Sequence, residues 1–92
     1  MNKHRERIGK VVADLLEIPK DLALDLPRIT LLGRDELNVE NHRGVIEYSS
    51  NRLRINLSRG FLEIEGRQLE IAALMPEEIA IVGEIISIKF FD

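Results

Sequence analysis

The amino-acid sequence predicts a mainly β fold: an N-terminal amphipathic helix, then an antiparallel β-meander of about eight short strands curled into a roll or small barrel. Three observations lead there. The first residues carry apolar side chains at helical spacing, and from Arg28 onward the apolar period becomes two. In addition, LEIEGRQLEI (Leu62–Ile71) returns as IAIVGEIISI (Ile79–Ile88), with its glycine and four aliphatics in register.

The helix is expected over residues 3–17. Ile8, Val11, Val12, Leu15 and Leu16 fall at i, i+3, i+4, i+7 and i+8, one apolar stripe. Pro19 ends it, because the residue before a proline avoids the helical region. Lys20–Pro27 is a connector. Strands follow near 28–32, 36–41, 44–49, 52–58, 61–65, 68–73, 77–82 and 85–90. Two-residue loops at His42-Arg43, Ser50-Asn51, Arg59-Gly60, Gly66-Arg67 and Gly83-Glu84 keep the aliphatic residues on one face. The Gly66 loop sets Ile64 against Leu69, and the Gly83 loop sets Ile81 against Ile86. Glycine at the first position of such a loop suits a type II′ turn. A phosphate-binding loop is disfavoured, since no helix N-terminus follows either glycine. Gly33–Asp35 and a segment around Leu74-Met75-Pro76 supply odd-length loops. Ile55, Ile64 and Leu69 are the expected centre of the core. A β-solenoid-like stack of the same turns is the alternative architecture.

Bulk properties bound the function. Ninety-two residues form a single domain over 1–92, with the meander over 28–90. Apolar residues make up 45% and charged residues 32%, a globular balance. No apolar run reaches the roughly 20 residues of a membrane span, and the N-terminus has no secretory pattern. The absence of cysteine removes disulfides, thiolate metal sites and a Cys nucleophile, and fits a cytoplasmic location. The net charge of −3 is uneven. Lys3, Arg5, Arg7 and Lys10 against Glu6 give residues 1–12 a charge of +3, leaving −6 for the body. An acidic body argues against nucleic acid, although a small barrel binding single strands is kept as the alternative function.

Catalytic chemistry finds little to build on. His4 and His42 are the only histidines. His42 lies in ENHRG (Glu40–Gly44), expected at a hairpin tip, where Asn41, His42 and Arg43 are candidate turn and interaction residues. A general-base role for His42 would need an oriented carboxylate, and a metal would need two further ligands. No serine stands in a nucleophile elbow, and the carboxylates fall on outward strand positions. The expectation is no enzyme, no cofactor and no metal. On the outward face, Arg54 is expected between Glu47 and Glu65, and Glu63 opposite Glu70, with Tyr48 facing inward.

One surface differs. Ala80, Val82 and Ile85 are apolar at outward positions, with Phe91 just beyond, and they form the candidate partner surface. The N-terminal helix or another chain would cover it, as strands apolar on both faces usually are.

DLPRITLLG (Asp25–Gly33), ENHRGVIEYS (Glu40–Ser49), the EIEG segment and the closing PEEIAIVGEIISIKF together resemble the YabP/YqfC family of sporulation proteins, most nearly its YqfC branch. The resemblance covers essentially the whole chain. It implies a role in bacterial endospore formation, at the mother-cell stage of spore envelope and coat assembly. No activity or cofactor is attached to the family, so no catalytic residue carries over. The implied location is the mother-cell cytoplasm or the forespore surface. The implied partner is a second copy or another sporulation protein, including a membrane-bound one.

Overall fold

A computed structural model describes residues 24–92. The helix expected over 3–17 lies outside the described residues. Six strands form one antiparallel sheet: β1 (Arg28–Leu32), β2 (Glu36–Glu40), β3 (Val45–Tyr48), β4 (Arg52–Asn56), β5 (Phe61–Leu74) and β6 (Glu78–Phe91). Their order is β1-β2-β6-β5-β4-β3, and the sheet does not close. The mainly β class stands, and antiparallel pairing throughout one sheet replaces the solenoid stack.

The main correction concerns the repeat. Gly66 and Gly83 are not at hairpin tips. The chain runs through both, so the four strands expected there merge into two strands of 14 residues each. Their shared hairpin turns at Met75–Glu78, where Met75 N donates to Glu78 O at 2.8 Å. Register shifts between Glu65 and Gly66, Arg67 and Glu70, and Ile71 and Ala73 mark bulges in this pair. A bulge adds one residue to one strand, bends the pair and reverses which face the next side chains take. Gln68 takes the left-handed conformation (φ 52°) beside that bend, and Gly83 has φ 134°. Gly66 does not share this positive φ; its need for glycine is steric. A Cβ there would meet the backbone carbonyl of Glu84, and one on Gly83 would lie 2.6 Å from the carbonyl oxygen of Gln68.

The bend divides the sheet into two halves with one plan. In the first, β1 and β2 join residues 78–82 of β6 and 70–74 of β5; in the second, β3 and β4 join residues 61–65 of β5 and 87–91 of β6. Leu37↔Ile81 and Val39↔Ile79 in the first correspond to Leu53↔Ile64 and Ile55↔Leu62 in the second. Gly83 N donates to Asp35 O at 3.1 Å, as Gly66 N donates to Asn51 O at 3.0 Å. Ile85 N donates to Arg34 O and Leu69 N to Ser50 O, both at 2.8 Å. The near-repeat of the sequence corresponds to this repeated plan, Leu62–Glu65 matching Ile79–Val82 at the same register positions.

Both halves feed one core: Leu37, Val39, Leu53, Ile55, Leu57, Leu62, Ile64, Leu69, Ile79, Ile81 and Ile85. Ile55, Ile64 and Leu69 are at most 1% exposed, as expected. Burying each such side chain stabilises the fold by about 1.5–3 kcal/mol. The sheet curls until the hydroxyl of Tyr48 on β3 accepts the backbone N–H of Ile71 on β5 at 3.2 Å, although β4 separates these strands in the order. Tyr48 is otherwise half exposed rather than inward.

Candidate functional site

The segment ENHRG is not a hairpin tip. β2 pairs with β6 and β3 with β4, so residues 41–44 carry the chain from one half of the sheet to the other. Arg43 N bonds Asn56 O at 2.7 Å and Asn56 N bonds Gly44 O at 2.8 Å, which lays the crossing against the end of β4. Asn41 N bonds Glu77 O at 2.6 Å, continuing the β2–β6 ladder.

Asn41, His42 and Arg43 come together there with Asp25. Asn41 holds φ 62°, a conformation asparagine tolerates better than most residues. Its side-chain amide donates to Asp25 Oδ1 at 3.0 Å and Leu26 O at 3.1 Å. Arg43 donates to the same Asp25 oxygen at 2.6 Å and to Asn41 Oδ1 at 2.9 Å. The amide of Asn41, and then Arg43, hold the Asp25 carboxyl below its ordinary range. Ser58 adds a bond to Asp25 O at 2.8 Å. The DLP segment and the ENHR segment, 16 positions apart, are thus one polar knot.

His42 is the buried member, 5% exposed. Gly44 N–H donates to its Nδ1 at 2.9 Å, so Nδ1 is an acceptor. Nε2 must then carry the proton, and it donates to Met75 O at 3.0 Å. Both ring nitrogens are committed to backbone groups, and the imidazole ties the crossing to the tip of the β5–β6 hairpin. Together with Leu74, Met75, Pro76 and Glu77 these residues line a shallow, open depression. Among the described residues, no group of three or more His, Cys, Asp or Glu is placed to hold a metal ion.

The four residues of the candidate partner surface are not brought together. Ile85 belongs to the core at 4% exposure, because the strand runs on through Gly83 without turning and keeps Ile85 in phase with Ile79 and Ile81. Ala80 and Val82 are half buried on the outer face of the first half, where Val82 pairs between Glu36 and Glu70. Phe91 lies on the outer face of the second half, stacked on Phe61 with ring centroids 5.0 Å apart. The guanidinium of Arg54 sits 5.7 Å over the Phe61 ring.

That second outer face is richer than the sequence suggested. The β4–β5 loop is Ser58-Arg59, closed by Leu57 N to Gly60 O at 3.0 Å. Centring the loop one residue earlier slides the register by two. Faces are unchanged, but Arg54 now opposes Glu63, and Glu65 opposes Arg52. Arg54 Nε donates to Glu63 at 2.9 Å, while Glu47 takes Arg52 at 2.7 Å and Arg54 at 3.7 Å. Glu63 is only 5% exposed, and the Arg54 hydrogen bond holds its carboxyl below the ordinary range. Its partner on β6 is Lys89, not Glu70. No helix among the described residues is long and apolar enough to cross a membrane.

Comparison with known proteins supplies the remaining context. The family model of the YabP family matches residues 25–92. The chain is 38% identical over 92 residues to the uncharacterized protein YqfC of Bacillus subtilis (strain 168), spanning all of this chain and 99% of that one. No solved structure matches. The match begins at Asp25 and takes in the knot, the crossing and the long bent hairpin, and on these grounds the chain belongs to the YabP/YqfC family.

Proposed function

We propose that the chain is a non-catalytic interaction module acting in bacterial endospore formation, at the mother-cell stage of envelope and coat assembly, with a protein partner. The process is inferred from family membership. The observation that supports a non-catalytic role is the knot itself: Asp25, Asn41, His42 and Arg43 direct their polar atoms at one another and at backbone groups. A reactive group needs a free lone pair facing a substrate, and the His42 ring has none left. Capture of the tagged full chain from sporulating cells is expected to bring down a second copy or another sporulation protein. Deletion of its gene is expected to reduce heat-resistant spores. Recovery of the chain alone from such cells, with sporulation intact after deletion, overturns the reading.

The stacked Phe61–Phe91 pair beneath Arg54 favours a second reading, a platform for unpaired bases. Glu47, Glu63 and Glu65 crowd the same face and oppose phosphate. Filter binding of a single-stranded oligonucleotide at low salt, lost on Phe61→Ala, would establish it. Absence of binding would dismiss it.

A further inference from the structure

Four strand edges border the open sheet, and three of them are blunted. β3 has four residues and is broken by a bulge between Val45 and Glu47. The edge of β5 over 70–74 carries a bulge between Ile71 and Ala73, and Tyr48 covers its Ile71 N–H. β1 has five residues, follows Pro27 and opens on Arg28, which faces Glu40 at 4.0 Å. Such devices keep edges from pairing with other chains.

Over residues 87–91 the fourth edge has none; its bulge, at Ile86, lies just before them. Residues 87–91 of β6 pair with β5 in unbroken register from Ser87↔Glu65 to Phe91↔Phe61. On their other side no strand is hydrogen-bonded among the described residues. The direction of the free groups follows from the ladder. Gly66 N–H points to Asn51 O on the β4 side, so the alternate residues Ile64 and Leu62 point there too. In an antiparallel pair, opposed residues either face each other or both face away. Ile88 and Phe90, opposite Ile64 and Leu62, therefore aim N–H and C=O outward. At the matching position of the other half, Tyr48 satisfies the N–H of Ile71; its counterpart in β1 is Leu31, which has no hydroxyl. Beside the free groups, Ile86 is 51% and Phe90 68% exposed, and Lys89 is the only charge between Ile85 and Phe91.

We infer that this edge pairs with the same edge of a second copy, antiparallel, about a two-fold axis at Ile88. The segment is self-complementary in that register. Ile88 exchanges two hydrogen bonds with its counterpart, Phe90 of each chain meets Ile86 of the other, and Ser87 meets Lys89. Moving the axis to Lys89 would set like charges directly opposite, which disfavours that slip. One patch suffices for both chains, as two-fold dimers require. The inference rests on the reading of the chain as an interaction module.

The test uses the full chain. Sedimentation is expected to show a dimer, and Phe90→Pro is expected to weaken it by at least about tenfold. That variant loses only an outward N–H and an exposed ring, so its melting curve should stay close to that of the parent. A second measurement fixes the register in a chain that has no cysteine. Ser87→Cys and Lys89→Cys chains should form disulfide dimers when mixed, and far fewer when each is oxidised alone. A parent monomer overturns the inference, as does a dimer indifferent to Phe90→Pro, or crosslinking without preference for the mixture. A monomer that still captures another protein from sporulating cells overturns the self-pairing while upholding the interaction module.

Discussion

In the second half of the sheet Arg54 stands among Glu47, Glu63 and the Phe61 ring; at the matching place in the first half is Asn38, whose buried Oδ1 has no hydrogen-bond partner among the described residues. The contrast continues along both outer faces. Glu63 and Glu65 correspond to Ala80 and Val82, and Arg52 corresponds to Glu36. One face is a ladder of paired charges with an aromatic pair beside it. The other is a small apolar strip rimmed by Glu36, Glu40, Glu70 and Glu78. Inward, by contrast, the halves are nearly interchangeable: Leu37 and Val39 for Leu53 and Ile55, Ile79 and Ile81 for Leu62 and Ile64. The two halves share what the core needs and differ on their outer faces.

The bend shared by both halves is where the comparison breaks most readily. Gly83→Val forces a branched side chain onto a φ of 134° and into the carbonyl of Gln68. A loss of about 3 kcal/mol or more is expected in urea unfolding, enough to abolish folding in a small domain. Next come the paired core positions. Ile64→Ala and Ile81→Ala should each cost about 2–5 kcal/mol, because both are fully buried. Matching losses in thermal melts would confirm that the halves are equal partners; a cheap Ile81→Ala would make the first half peripheral.

His42→Ala has no counterpart in the other half. It leaves Gly44 N–H and Met75 O without their ring partners, so a loss of about 1–3 kcal/mol is expected, read by the same melts. Glu63 gives a smaller effect, seen as a slope in pH. Its carboxyl is held down by Arg54 in the folded chain, so folding binds fewer protons there than unfolding does. That contribution is complete above the ordinary value of 4.5 and fades as pH falls below it. Glu63→Gln should flatten stability below about pH 4.5 while leaving the neutral range the less stable of the two proteins. Tyr48→Phe should cost least, about 0.5–1 kcal/mol, since the bond it removes lies at an exposed edge.

Much of this was legible beforehand. Period-two alternation gives the β class and the inward face of β2, β4, β5 and the Ile79–Ile81 part of β6, with Ile55, Ile64 and Leu69 in the core; Ile85 and Ile86 exchange the faces expected of them. The turns at Gly33–Asp35 and Ser50-Asn51 were readable from their residues; the odd-length loop expected around Leu74-Met75-Pro76 is instead a two-residue turn at Pro76-Glu77, closed by Met75 and Glu78. The glycines were not readable, for a definite reason. A two-residue hairpin loop and an added bulge residue both reverse the phase of the apolar pattern, so Leu62–Ile71 fits either. With no turn at Gly83, Ile85 stays in phase with Ile79 and Ile81 and enters the core, while the bulge after it leaves Ile86 exposed. The knot escaped because it joins Asp25 to Asn41 and Arg43 through a crossing, and periodicity speaks only of neighbours along a strand. Ser58 and Met75 carry no local sign of their parts in it.

The crossing at residues 41–44 also imposes an order of assembly. β3 and β4 can pair as soon as they are made, and β5 can add to them next. β1 and β2 form a hairpin early, but β2 gains its second neighbour only when Glu78–Val82 exists, since Leu37 waits for Ile81. Bringing such distant positions together costs loop entropy that only the completed core repays. Until then the apolar face of the first hairpin has no cover from its own half. A ribosome-bound chain lacking its last strand would hold half a sheet in place and half in waiting.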